Sequence, residues 1–261
     1  MATMTGLNLV HQYVKEVSEN VWARWNYLTA DEAVTKMHQA ISQVHLACGV
    51  PVTKVRRDKS LTDLGRFRCY TWELVVGAGP FDLDWISEDV FIKTAALFYH
   101  EGRHCEQYWH IARWYAMINS TMDTYSDLHL TFSLARQART KKMDIRFDTM
   151  RDNAKTWYGS IYGDRSGYRD FVYARTGLNR SHSHGVDLRG FHEGAWISYA
   201  GTLPEEIDAF ATQKLVEDRF YEVGLPPVIP LKTNRPPAAS LVSDPTTPSP
   251  PSMRRPRKKW D

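Results

Sequence analysis

Residues 98–109 read "FYHEGRHCEQYW", and whether they lie on a helix decides how the rest of the chain is read. Within them His100, Glu101 and His104 spell H-E-x-x-H. On a helix, residues four apart stand one turn above each other on the same face. His100 and His104 can then present two imidazoles to one ion without bending the backbone. Glu101 falls about a hundred degrees round the helix from His100, where it can hold a metal-bound water rather than the metal. In a loop the same letters carry no such geometry.

The flanks predict a helix. Ser87 is a natural N-cap, and Glu88 and Asp89 behind it suit the positive end of a helix dipole. From there to about Met117 nothing but Gly102 breaks the helix, so the motif sits about four turns inside the element. Ala95, Ala96, Leu97 and Phe98 precede the motif, and Tyr108, Trp109 and Ile111 follow it. Buried polar side chains in such a setting need partners, which favours a metal over a pair of surface histidines.

Two further segments set the fold class. "TADEAVTKMHQAISQVHL" opens with Thr29 three residues before Glu32, a capping box, and Ala33, Met37, Ala40, Ile41 and Val44 then recur at helical spacing. "RFRCYTWELVV", residues 66–76, is rich in aromatic and branched residues, with Tyr70, Trp72, Leu74 and Val76 on one face. It reads as one strand, expected at a sheet edge where a peptide could bind in extended form. "GAGPFDLDW" then reads as a loop. The expected fold is α+β and predominantly helical, with a small sheet beside the motif helix.

Composition bounds the rest. A chain of 261 residues with 43% hydrophobic content has ample material for a core. It contains no apolar run long enough to span a membrane, and its first residues do not read as a signal peptide. Cys48, Cys69 and Cys105 are too few and too scattered for a disulfide framework or a Cys-based zinc module. Synthesis in a cytosol is expected, with any export left to a dedicated secretion system. Residues 225–261 hold ten of the thirteen prolines and carry a net charge of +5, leaving −2 on residues 1–224. We therefore expect a globular domain over 1–224 and a Pro-rich basic tail over 225–261 that is disordered or extended. Such a tail can be a solvated appendage, or can touch nucleic acid, acidic membranes or a carrier protein.

A catalytic zinc needs three protein ligands and an open position. The downstream candidate is "YAGTLPEEIDAFATQKL", residues 199–215. Thr202 and Glu205 have capping-box spacing around Pro204, which leaves Glu206 without a local role and one turn from the small Ala209. The plainer alternative is that both glutamates simply favour the helix start. "NRSHSHGVDLRGFHEG" adds His182, His184 and His192 in a loop-like stretch. His184 and Tyr199 are candidates for stabilising an oxyanion, against the alternative of exposed loop side chains. Glu101 and His104 also form E-x-x-H, but a di-iron carboxylate bundle needs a second copy, which the chain lacks. Cys105 adjoins a ligand yet points elsewhere round the helix, and is expected in the core.

"YHEGRH" with the later "PEEIDAFA" resembles the zincin metallopeptidases, specifically their glutamate-ligand branch, the gluzincins. In compact members the second helix supplies a Glu followed three residues later by Ala or Ser, which Glu206 and Ala209 match and Glu205 and Asp208 do not. The acidic residue common after the small one is Phe210 here, and Asp208 is the neighbouring substitute. "HEGRHCEQYW" and "LPEEIDAF" are also similar to metallopeptidase-like domains of bacterial polymorphic toxins and secreted effectors. The likeness covers two short blocks. It implies a zincin-like domain holding Zn2+ on His100, His104 and Glu206, with Glu101 as general base for peptide-bond hydrolysis. It also implies a peptide or protein substrate, and an inhibitory (immunity) or carrier protein as partner. Two rivals remain open: an inactive zincin-fold binding module, and a nucleic-acid-directed protein using the basic tail.

Overall fold

The computed structural model describes residues 2–61, 64–83, 85–119, 127–143, 148–176 and 203–230. Helix α1 spans Leu7–Asn20 and buries Val10, Tyr13, Val14 and Val17, a stripe at helical spacing. A 3-10 turn over Trp22–Tyr27 leads to α2, Ala30–Ala47. The capping box of α2 is present in both directions, and its buried face includes Ala33, Met37, Ala40, Ile41 and Val44 as expected.

The segment expected as a single strand is a hairpin. Strand β1 is Lys54–Asp58, β2 is Gly65–Arg68 and β3 is Glu73–Gly77. They form one sheet in the order β1-β3-β2. β1 runs parallel to β3 and β2 antiparallel to it. The chain reverses over residues 69–72, and Trp72 takes a left-handed φ of 53°. No Gly, Asn or Pro advertises that turn. It is held instead by the Trp72 indole, which is buried and donates to Pro51 O at 3.0 Å. Tyr70, expected on the same face as Trp72, is exposed as a result. The strand just before the motif helix is therefore the central one, and β1 and β2 are the edge strands.

After a 3-10 turn over Gly79–Asp82, α3 runs from Glu88 to Ile118. Ser87 caps it by accepting from Val90 N, with Glu88 and Asp89 in the first turn. α3 is buried round most of its circumference and is the axis of the core. Gly102 answers a packing demand: a Cβ there would lie 2.7 Å from Ile41 Cγ1, so its absence lets α2 cross α3 closely. Helices α4 (Phe132–Thr140), α5 (Asp148–Ile161), α6 (Ser166–Thr176) and α7 (Pro204–Val223) complete the described elements. The three cysteines are unbridged, and Cys105 is fully buried. Among the described residues no helix is long and apolar enough to cross a membrane.

The compact unit extends past the boundary expected at residue 224 to Ile229. Gly224 ends α7 at φ 70°, and the chain then returns along the Trp22–Tyr27 turn. Trp22 Nε1 donates to Pro226 O at 2.7 Å, and Ile229 N to Ala23 O at 2.8 Å. Leu225 and Val228 pack on the core. Pro230–Asp261 form a second unit, of which 231–261 lie outside the described residues.

Candidate metal centre

The site is where α7 crosses α3. His100 and His104 stack on one face of α3, both buried, with their Nε2 atoms 3.1 Å apart. α7 brings Glu206, also buried, so that its Oε2 stands 3.6 Å from His100 Nε2 and 3.5 Å from His104 Nε2. Ala209, fully buried one turn on, is small enough to allow the approach. Among the described residues these three form the group of His, Cys, Asp and Glu side chains close enough to hold a metal ion. The spacing suits the task. Donors about 2.0–2.2 Å from a tetrahedral ion lie roughly 3.3–3.5 Å from one another, and two imidazoles with one carboxylate are a borderline-soft donor set.

The clustered side chains are held by their neighbours. His104 Nδ1 is 2.8 Å from Gln107 Oε1, an arrangement in which Nδ1–H donates to the amide oxygen and Nε2 is left facing the centre. Gln107 Nε2 in turn donates to Asp208 Oδ2 at 2.7 Å and to Glu205 O at 2.8 Å. Arg103 donates from Nε to Asp208 Oδ2 at 2.7 Å and from its NH2 nitrogen to Oδ1 at 3.1 Å. Asp208 thus reaches His104 through one intervening amide. Phe210 instead packs edge-on against the His100 ring, with centroids 4.5 Å apart. Arg103 also pairs with the buried Glu106, which accepts from Met4 N at 3.1 Å. Burial alone would raise the Glu106 carboxyl, but His110, Arg103 and the Met4 amide hold it at about 2.

Charge within the cluster is strongly coupled. Burial would raise the Glu206 carboxyl, yet the imidazoles of His104 and His100 beside it hold it far below the ordinary carboxylate range. Burial would likewise depress His104, yet Glu206, with Glu101 and Gln107, pushes it up to about 9.

Glu101 stands beside the cluster and outside it. Its Oε2 accepts from Phe67 N of β2 at 2.7 Å. That contact also alters the expected role of the strand, since an outward-facing amide of β2 is already engaged by Glu101.

Two expectations at the start of α7 need correction. The residue at the cap is Leu203, with no side-chain bond, because Pro204 with its fixed φ begins the helix there. Glu205 therefore does not close a capping box. It is buried, and its Oε1 accepts from Arg169 Nε of α6 at 3.0 Å. Thr202, Tyr199, His182, His184 and His192 lie outside the described residues. Sequence reasoning passed over Arg103, Glu106 and Gln107, although all lie in or beside the motif. The available signal was three polar residues in a helix whose flanks are apolar, with Gln107 one turn beyond His104.

Comparison of the chain with protein-family models, with curated proteins and with solved structures finds no match.

Proposed function

We propose that this chain is a zinc-dependent peptidase with His100, His104 and Glu206 as metal ligands and Glu101 as general base. The observation carrying the reading is the convergence of the two Nε2 atoms and Glu206 Oε2 at 3.1–3.6 Å, with a second glutamate adjacent but not part of the cluster. Zinc bound there would polarise a carbonyl and lower the pKa of a bound water toward about 7. Glu101 would take the water proton and deliver it to the departing amine. Gln107 holds His104 in the tautomer that ligation needs, and Asp208 and Arg103 hold Gln107. Phe210 packs edge-on against the His100 ring and restricts its orientation.

The test is elemental analysis of the purified protein together with a Glu101→Gln variant in a peptide-hydrolysis assay. Expected is one tightly bound zinc in both proteins and a loss of roughly 10²–10⁴-fold in kcat for the variant. A folded variant that loses its metal would make Glu101 a ligand, and a metal-free wild type would leave an inactive binding module.

A further inference from the structure

We infer that the backbone amide of Phe67 is a positioning group for Glu101, an assignment that rests on the peptidase reading above. In an antiparallel ladder, residue pairs alternate between those that exchange two hydrogen bonds and those whose N–H and C=O groups face away. Gly77 N donates to Leu64 O at 2.9 Å, which places that pair in the bonded class. With Gly65 opposite Val76 and Phe67 opposite Leu74, Arg66 and Arg68 face β3 while Gly65 and Phe67 turn their backbone groups outward. The sheet makes no use of the Phe67 N–H. It is spent on Glu101 Oε2 at 2.7 Å, the short distance of a bond to a charged acceptor.

The donor is fixed from both sides. The Phe67 ring packs edge-on against Trp72 of the hairpin turn, with centroids 5.1 Å apart, and against Tyr108 of α3 at 5.4 Å. Tyr108 lies two turns beyond Glu101 on the same helix, so one aromatic contact ties the strand to the element carrying the base. Trp72 is itself buried and anchored on Pro51 O. At Gly65 a Cβ would stand 3.4 Å from Leu97 Cδ2 and 3.8 Å from Glu101 Cγ, so β2 lies directly against α3 at this level. A carboxylate on a helix surface otherwise explores several rotamers. Held at Oε2 by a rigid amide, Glu101 keeps Oε1 for the proton, and general-base chemistry depends on placement within about an ångström.

Two substitutions isolate the amide. Phe67→Ala and Phe67→Pro both remove the ring, but only proline removes the N–H, and proline is tolerated where that N–H makes no ladder bond. In the zinc-loaded protein, kcat of Phe67→Pro should fall roughly tenfold to a hundredfold below that of Phe67→Ala. KM and zinc content should match between the two. A readout that needs no turnover is amide exchange in protein labelled with 15N-phenylalanine. The Phe67 amide should be protected in the wild type and exchange at least about tenfold faster in Glu101→Ala, in line with losing a charge-assisted bond. Equal kcat for the two Phe67 variants at equal zinc content overturns the assignment, as does equal exchange with and without the carboxylate. The same assay separates the two ideas: a zinc-loaded wild type that hydrolyses no peptide refutes the peptidase reading, full activity of Glu101→Gln refutes Glu101 as the base, and the other outcomes refute the positioning alone.

Discussion

Glu206 Oε2 on α7 lies 3.5 Å from His104 Nε2 on α3, and both side chains are buried. Neighbouring Glu205, equally buried, turns the other way and meets Arg169 at 3.0 Å. Adjacent helix positions differ by about a hundred degrees, so one register places one glutamate in the centre and the other against α6.

That division predicts different losses for the two glutamates. Glu206→Ala should strip zinc or weaken its binding severely, because two imidazoles alone make a poor site. Glu205→Ala should retain zinc but lower stability by about 1–3 kcal/mol, since it removes a buried carboxylate that pairs with Arg169. Zinc content and thermal denaturation of both variants decide it. Zinc loss confined to Glu205→Ala would place the ligand one residue earlier.

The support of His104 predicts a weaker but specific effect. Gln107→Leu fills similar space yet cannot accept from His104 Nδ1 or donate to Asp208. Zinc affinity, measured by competition with a chelator, should fall roughly tenfold to a hundredfold while the fold survives. Unchanged affinity would mean that the amide only fills space.

Gly102 sets two effects against each other. Alanine is the better helix former by about 0.8–1 kcal/mol, which taken alone predicts stabilisation. Its Cβ would meet Ile41 Cγ1 at 2.7 Å and Cδ1 at 2.9 Å, and Ile41 is fully buried with little room to yield. Overpacking of this kind costs about 1–3 kcal/mol, so Gly102→Ala should destabilise on balance. In chemical denaturation the pair with Ile41→Ala should be less destabilised than the two single changes summed.

His45 predicts an acid limit to stability. It is fully buried, its Nε2 lies 3.0 Å from Gly102 O, and burial pushes it down to about 4 despite that bond and the charge of Glu106. The folded state prefers the neutral ring, so the contribution is complete above the unfolded value of about 6.5. It is lost as pH falls from there toward 4, and amounts to about 3 kcal/mol. Urea unfolding at pH 7 and pH 4.5 should show that drop in the wild type. A smaller drop is expected in His45→Gln, whose amide can still donate to Gly102 O.

Local rules in the sequence carried much of this molecule. The capping box at Thr29 and Glu32, the Ser87 cap and the four-residue spacing of His100 and His104 depend on nearest turns of one helix, and the structure has each as expected. Glu206 was legible from its spacing to Ala209 and from the motif likeness. What tertiary structure decided are the relations between distant segments. A period-two pattern running through residues 66–76 does not reveal that the chain reverses at Trp72, because a buried indole holds that turn and no turn residue marks it. The link from His104 through Gln107 to Asp208 requires α7 to settle at one depth on α3. The amide that holds Glu101 belongs to backbone, which every residue carries alike, and only the pairing of β2 with β3 turns the Phe67 N–H toward the helix. Side-chain type and spacing are written along one chain, whereas strand register and helix depth arise only when separate segments compete for the same core.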